Sequence, residues 1–300
     1  MTRLLAFDDE LPLAEALARA LEMPLALIAR HRFPDGETRL RLPADLSGTV
    51  LVLRGLQQPN EKLTELLLAA AGARELGAQR LMLISPYLAY MRQDMAFTPG
   101  EVVSQRHLGA LLAAAFDAVL TVDPHLHRIE RLEQAIAGRH CITLSAASLI
   151  GPWLAQQVPG ALLVGPDAES AQWVGVAAAA AGLDHAVCSK LRQGDRDVEV
   201  SLPEGVAVCG RAAVLIDDVA STGQTLLQAL RRLQAAGAAS VDVAVTHGLF
   251  VGDALARLRA AGVRHVWSTD CVHHETNALS VVPLMAAALR PWLAGPPPGS

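Results

Sequence analysis

The stretch Ala213 to Thr225, AVLIDDVASTGQT, concentrates usable chemistry in this 300-residue sequence. An apolar strand ends in two carboxylates, Asp217 and Asp218, and Ser221, Thr222, Gly223, Gln224 and Thr225 then lead into a helix. Small hydroxyl residues and a glycine let the backbone wrap an anion, and the helix adds N–H groups and the positive end of its dipole. The two acids would stand a sugar's length away, where carboxylates accept hydrogen bonds from ribose hydroxyls, with room for a metal between. The Walker A pattern GxxxxGK is absent. An ordinary strand-to-helix turn with a Ser or Thr N-cap is the alternative reading.

Three further places carry reactive side chains. RFPDGE, Arg32 to Glu37, follows the expected strand Leu25 to Arg30 and by itself means no more than a hairpin turn. SPYLAYMRQD, Ser85 to Asp94, with FTPGE after it, offers a guanidinium fork for phosphate and an amide for a base, or else a solvated loop. VDPHLH, Val122 to His127, sets Asp123, His125 and His127 beyond a strand, where a histidine beside a carboxylate can ligate a divalent cation. VGPD, Val164 to Asp167, is its match in the second half. Lys62 and Lys190 are the two lysines among 25 basic residues, so a lysine that remains is a candidate for a role only lysine can fill.

Short apolar runs at Leu25 to Ile28, Val50 to Leu53, Leu81 to Ile84, Val119 to Val122, Ala161 to Val164, Val214 to Ile216 and Val241 to Val245 read as buried strands. Helical stretches alternate with them at Glu61 to Glu75, Val103 to Ala115, Ser170 to Ala181 and Gln224 to Ala235. This alternation predicts an α/β fold of two similar domains, each a mainly parallel sheet flanked by helices. The expected boundaries are 1–145, joined by a closing helix over 281–293, then 146–280, with a flexible tail at 294–300. Ser145 to Pro152 reads as punctuation between the halves. Ligands of such sheets bind beyond the carboxyl ends of the strands, where the four motifs fall.

With 52% hydrophobic and 18% charged residues, the composition excludes a disordered chain. No apolar run reaches the ~20 residues a membrane helix needs, and Asp8, Asp9 and Glu10 stand where a signal peptide would be apolar. A net charge of −5 without a basic block argues against nucleic acid. Four cysteines without CxxC spacing point to a reducing cytoplasm. Trp153, Trp173 and Trp267 are expected to be packing residues, and His273 and His274 are given no role.

AVLIDDVASTGQT resembles the signature of the type I phosphoribosyltransferase fold. RFPDGE, PYLAYMRQD, VDPH, VGPD and IDDVASTGQT moreover occur in the order and at the separations of ribose-phosphate pyrophosphokinases, a resemblance that runs from Phe7 to Leu289. It implies that Phe33, Asp35, Gly36 and Glu37 reach the adenine and ribose of ATP across a subunit contact, and that Arg92, Gln93 and Asp94 also hold ATP. It further implies that His125 and Asp167 are magnesium positions. Asp217, Asp218 and Ser221 to Thr225 would bind ribose 5-phosphate together with Arg192, and Lys190 and Arg192 would be the catalytic Lys-x-Arg of a mobile loop. Gly194 and the charged run Asp195 to Glu199 fit such a lid.

The implied reaction moves the β,γ-diphosphoryl group of Mg-ATP to the C1 hydroxyl of ribose 5-phosphate, in a homo-oligomer, dimer or hexamer. A phosphoribosyltransferase would share only the Asp217 to Thr225 site, and a non-catalytic regulatory paralogue would not need Lys190, Arg192, His125 and Asp217 together. MAFTPGE replaces the basic stretch that follows RQD in the better-known bacterial enzymes, and Ser221 replaces a common Asp. The sequence looks more like the archaeal branch, in which phosphate activation is not assumed.

Overall fold

A computed structural model describes residues 2–126, 128–193, 197–203 and 205–295, with the backbone alone for 190–193 and 197–200. His127, Gly194, Asp195 and residues 296–300 of the expected tail lie outside the described residues. Two compact units emerge, Met1–Leu144 with Val282–Ser300, and Ser145–Val281.

The first unit runs β1 (Thr2–Ala6), α1 (Leu11–Leu21), β2 (Leu25–Leu27), β3 (Ala29–Arg32), β4 (Thr38–Arg41), β5 (Gly48–Leu53), α2 (Pro59–Glu75), β6 (Ala78–Ser85), α3 (Ser104–Ala115), β7 (Ala118–Val122) and β8 (His140–Leu144). The second runs α4 (Ala147–Gln157), β9 (Leu162–Gly165), α5 (Ala171–Ala181), β10 (His185–Val187), β11 (Ser189–Gln193), β12 (Asp197–Ser201), β13 (Ala212–Ala220), α6 (Gln224–Ala235), β14 (Ser240–Gly248), α7 (Ala254–Ala260), β15 (Val266–Thr269) and β16 (Asn277–Leu279). Helix α8 (Val282–Ala294) returns to the first unit, where it packs on α1.

Each unit holds a six-stranded parallel sheet, in the orders β2-β1-β5-β6-β7-β8 and β10-β9-β13-β14-β15-β16. The central strands are apolar because both faces are covered; Leu51, Val52, Leu81, Leu83, Val119 and Leu120 are fully buried. In each unit an antiparallel hairpin, β3–β4 or β11–β12, leaves the sheet after its edge strand. Strand order reverses between β1 and β5 and between β9 and β13, and such switch points are where open α/β sheets take ligands.

Two expectations need correction. Ser145 to Pro152, read as punctuation between the halves, does lie where the units divide, but it is largely helical, since α4 runs through Gly151 and Pro152. Gly151 is where α4 meets α5, and a Cβ there would run into the Ala177 carbonyl, so close packing demands the glycine. The strand read as Val214 to Ile216 continues to Ala220, because main-chain pairing with β14 outlasts the apolar run: Asp217 lies opposite Val245 and Val219 opposite His247.

Candidate active site

The longer β13 changes the geometry of its two acids. Both lie within the strand, where successive residues point to opposite faces, and they differ in burial although their carboxyl groups still act on one another. Asp218 is 1% exposed, whereas Asp217 is half-buried. Burial, together with the neighbouring Asp218 and Asp167 carboxylates, pushes the Asp217 carboxyl well above its ordinary range.

The loop after β13 is built to present its backbone. Gly223 sits at φ +71°, a left-handed conformation that disfavours any side chain, and α6 starts immediately after it without a side-chain cap. Main-chain bonds brace the loop from behind, from Phe250 N–H to the Ala220 carbonyl (2.9 Å) and from Val251 N–H to the Ser221 carbonyl (3.0 Å). Arg257 adds a bond to the Thr222 carbonyl at 2.6 Å. The first-turn N–H groups of α6 are thereby left for a ligand. Ser221 and Thr225 are half-buried, and Thr222 and Gln224 are exposed.

Asp167 follows β9 directly. Its carboxylate accepts the Glu169 N–H at 3.1 Å, which fixes the turn leading into α5, and its side chain is 8% exposed. Cys188, just beyond the edge strand β10, is buried, and burial with the Asp167 charge pushes its thiol up to about 11, which favours the protonated form. Lys190 and Arg192 lie two residues apart on β11, opposite Val200 and Val198 of β12.

In the first unit, RFPDGE forms the tip of the β3–β4 hairpin. Phe33 and Glu37 exchange a bond across it (2.8 Å), the Asp35 carboxylate accepts the Glu37 N–H (3.2 Å), and Gly36 takes φ +96°. Phe33 is 37% exposed, with the His31 ring edge-on at 4.8 Å and Arg39 over its face at 6.0 Å. An exposed aromatic ring flanked by two carboxylates can meet a base and a ribose.

The second nucleotide motif divides differently from expectation. Arg92 is exposed. The Gln93 side-chain oxygen accepts the Ser104 hydroxyl at 2.6 Å, holding the start of α3, so only its NH2 group remains to meet a base. Asp94 is turned inward, buried and paired with Arg128 at 2.5 Å. His125 is half-buried in the loop after β7, behind Asp123, which adopts φ +37°.

Sequence reasoning missed two signals. Four non-glycine residues, Gln58, Tyr90, Asp123 and Phe250, take positive φ just beyond strands β5, β6, β7 and β14. Strain of this kind clusters at functional sites, but side-chain type gives no hint of it. A dense ion-pair network around Arg54 at the switch point of the first unit was also invisible, since Asp8 to Glu10 lie far from it in sequence. Among the described residues, no group of three or more His, Cys, Asp and Glu is arranged to hold a metal, and no helix is long and apolar enough to cross a membrane.

Comparison with known proteins gives these features a context. Residues 2–115 match the model of the N-terminal domain of ribose phosphate pyrophosphokinase, and residues 202–287 match a phosphoribosyl synthetase-associated domain. His125, Asp167, Lys190 and Arg192 fall between the two matches. The chain is 35% identical to the ribose-phosphate pyrophosphokinase of Methanopyrus kandleri, covering 95% of this chain and 98% of that protein. It is 33% identical to that of Methanosarcina acetivorans, covering 93% and 95%. Its fold matches the crystal structure of phosphoribosylpyrophosphate synthetase from Mycobacterium smegmatis, with a TM-score of 0.85, 24% identity, and coverage of 98% and 99%. With a similarity that spans both units and nearly the full length of archaeal relatives, the chain belongs to the ribose-phosphate pyrophosphokinase family.

Proposed function

We propose that this chain transfers the β,γ-diphosphoryl group of ATP to the C1 hydroxyl of ribose 5-phosphate, giving 5-phosphoribosyl 1-pyrophosphate and AMP. The observation that carries this reading is the near full-length identity to ribose-phosphate pyrophosphokinases, together with an anion loop at the switch point of the second unit. The sugar hydroxyl oxygen attacks the β-phosphorus in line, the O1–Pβ bond forms as the bridge from Pβ to the α-phosphate oxygen breaks, AMP leaves with that oxygen, and the hydroxyl proton is released to solvent.

Ser221 to Thr225 hold the 5-phosphate on main-chain N–H groups, and Asp217 accepts hydrogen bonds from the ribose hydroxyls. Lys190 and Arg192 stabilise the charge that gathers on the migrating diphosphoryl oxygens. Phe33, Asp35 and Glu37 take the adenine and ribose of ATP, and Arg92 takes phosphate oxygens. The exposed hairpin tip is in keeping with an ATP site shared between copies in a homo-oligomer, dimer or hexamer. Four free thiols accord with a cytoplasmic enzyme.

Asp167, a hard oxygen donor just beyond β9 in the second unit, and His125, an imidazole in the first, are the residue types that could each contribute to holding Mg2+. When bound, Mg2+ neutralises phosphate charge. Incubating the protein with ATP, Mg2+ and ribose 5-phosphate and following AMP by chromatography tests the assignment; AMP that does not depend on the sugar speaks against it.

A further inference from the structure

The hairpin that carries Phe33, Asp35 and Glu37 is tied to its unit by ions. Most of its residues are exposed, and Leu40 is its link to the apolar core. Arg30 of β3 pairs with Asp8, with Asp9 at 3.3 Å and with Glu65 of α2 at 3.3 Å. Arg32 pairs with Glu61 at 2.7 Å.

Behind them stands Arg54, 1% exposed, bonded to Asp9 at 2.5 Å and to Glu65, with its guanidinium 4.2 Å from the Phe7 ring centroid. Lys62 closes the far side, 3.3 Å from Glu10 and 3.1 Å from the Gly55 carbonyl. Of these side chains Asp8, Arg30, Arg32, Glu61 and Glu65 line a cleft of about 690 Å³ that Gly36 and Glu37 of the hairpin tip also reach.

The network stands where the second unit has its sugar site. Ile28 N–H donates to the Ala6 carbonyl at 2.8 Å as Cys188 N–H donates to the Gly165 carbonyl at 2.8 Å, so Ala6 corresponds to Gly165. Asp8 then corresponds to Asp167, Arg30 to Lys190 and Arg32 to Arg192. The ladder partners Leu4–Leu51 and Leu163–Val214 carry the match onward, placing Arg54 where the second unit has Asp217. The position that carries a carboxyl in one unit carries a buried guanidinium in the other.

We propose that the first unit's copy of the site is an anchor, in which Arg30, held by Asp8, Asp9, Glu65 and, through them, Arg54, is a positioning residue for the ATP-binding hairpin. This rests on the reading of Phe33, Asp35 and Glu37 given above. Arg30 acts on the nucleotide through the hairpin in this proposal. Its pairs fix the base of the hairpin, and through it the pose of the tip, so losing them costs ATP affinity and spares the sugar site.

The test is Arg30→Gln and Arg30→Lys in the full-length protein. Arg30→Gln is expected to raise the KM for ATP about tenfold, with the KM for ribose 5-phosphate and kcat at saturating ATP within about twofold, and Arg30→Lys is expected to restore most of the loss. An unchanged KM for ATP, or a parallel loss in both substrates and in thermal stability, overturns the anchor. Equilibrium binding of a fluorescent ATP analogue separates this claim from the assigned reaction. If the wild type forms no sugar-dependent AMP, the reaction fails, while a tenfold weaker analogue affinity in Arg30→Gln still supports the anchor; equal affinity, or no binding to the wild type, defeats it.

Discussion

Arg54 occupies in the first unit the ladder position that Asp217 occupies in the second, so one fold carries a guanidinium and a carboxyl group at the same switch point. Burial and like charge push Asp217 toward its neutral form. Burial also opposes ionisation of Asp9, but Arg54, Lys62 and Arg30 outweigh it and hold the Asp9 carboxyl below its ordinary value. Carboxylates crowd one another at the second unit's site, whereas cations are built in beside the carboxylates of the first.

That contrast has a pH signature. Because the folded Asp9 titrates below its ordinary value of 3.8, its contribution to stability is fully present above that value and lost as the pH falls through the lower folded value. Thermal denaturation between pH 2 and 6 should show a less steep acid limb in Asp9→Asn, with the two proteins converging at the lowest pH; an unaltered slope would show that Asp9 is not held in the charged state.

The phosphate loop depends on one backbone conformation. A Cβ on Gly223 would meet Leu258 and Ala254 at 3.6 and 3.7 Å, ordinary contact, so Gly223→Ala is opposed by its φ of +71° and not by crowding. The left-handed conformation costs a non-glycine residue about 1–2 kcal/mol. Steady-state kinetics should show the KM for ribose 5-phosphate rising about tenfold as the loop relaxes, with the KM for ATP little changed.

Lys190→Ala should remain folded by circular dichroism and lose ~10²-fold or more in kcat, as expected for a donor to the migrating charge. A variant that keeps most of its turnover would remove Lys190 from the mechanism.

Asp242 provides a control remote from the chemistry. It is fully buried at the start of β14, accepting from Arg264 at 2.5 and 3.0 Å and from the main chain of His265 at 3.0 Å. Asp242→Ala should lower stability by about 2 kcal/mol in urea denaturation, since bonds to charged partners are lost, and leave both KM values unchanged.

How much of this was legible in the chain depends on what each residue is buried against. The central strands, covered on both faces, announce themselves as apolar runs, and α6 was expected over the very residues it occupies, Gln224 to Ala235. Hairpin β3–β4, reading ARHR and TRLR, has no buried face to write a pattern, so only its turn was visible. Gly151 and Pro152 read as a break because close packing of α4 on α5 leaves no local signature. Motif residues were found by type, but their partners were not. That Gln93 bonds Ser104, that Asp94 turns in to Arg128, and that Asp217 and Asp218 lie inside β13 and differ in burial are all set by tertiary contacts or strand length.

The most direct test follows the diphosphoryl group itself. With ATP labelled at the β-phosphorus, Mg2+ and ribose 5-phosphate, the account predicts label in a sugar diphosphate, formed one to one with unlabelled AMP. Label remaining in ADP beside a sugar bisphosphate, or no transfer to the sugar at all, would contradict it.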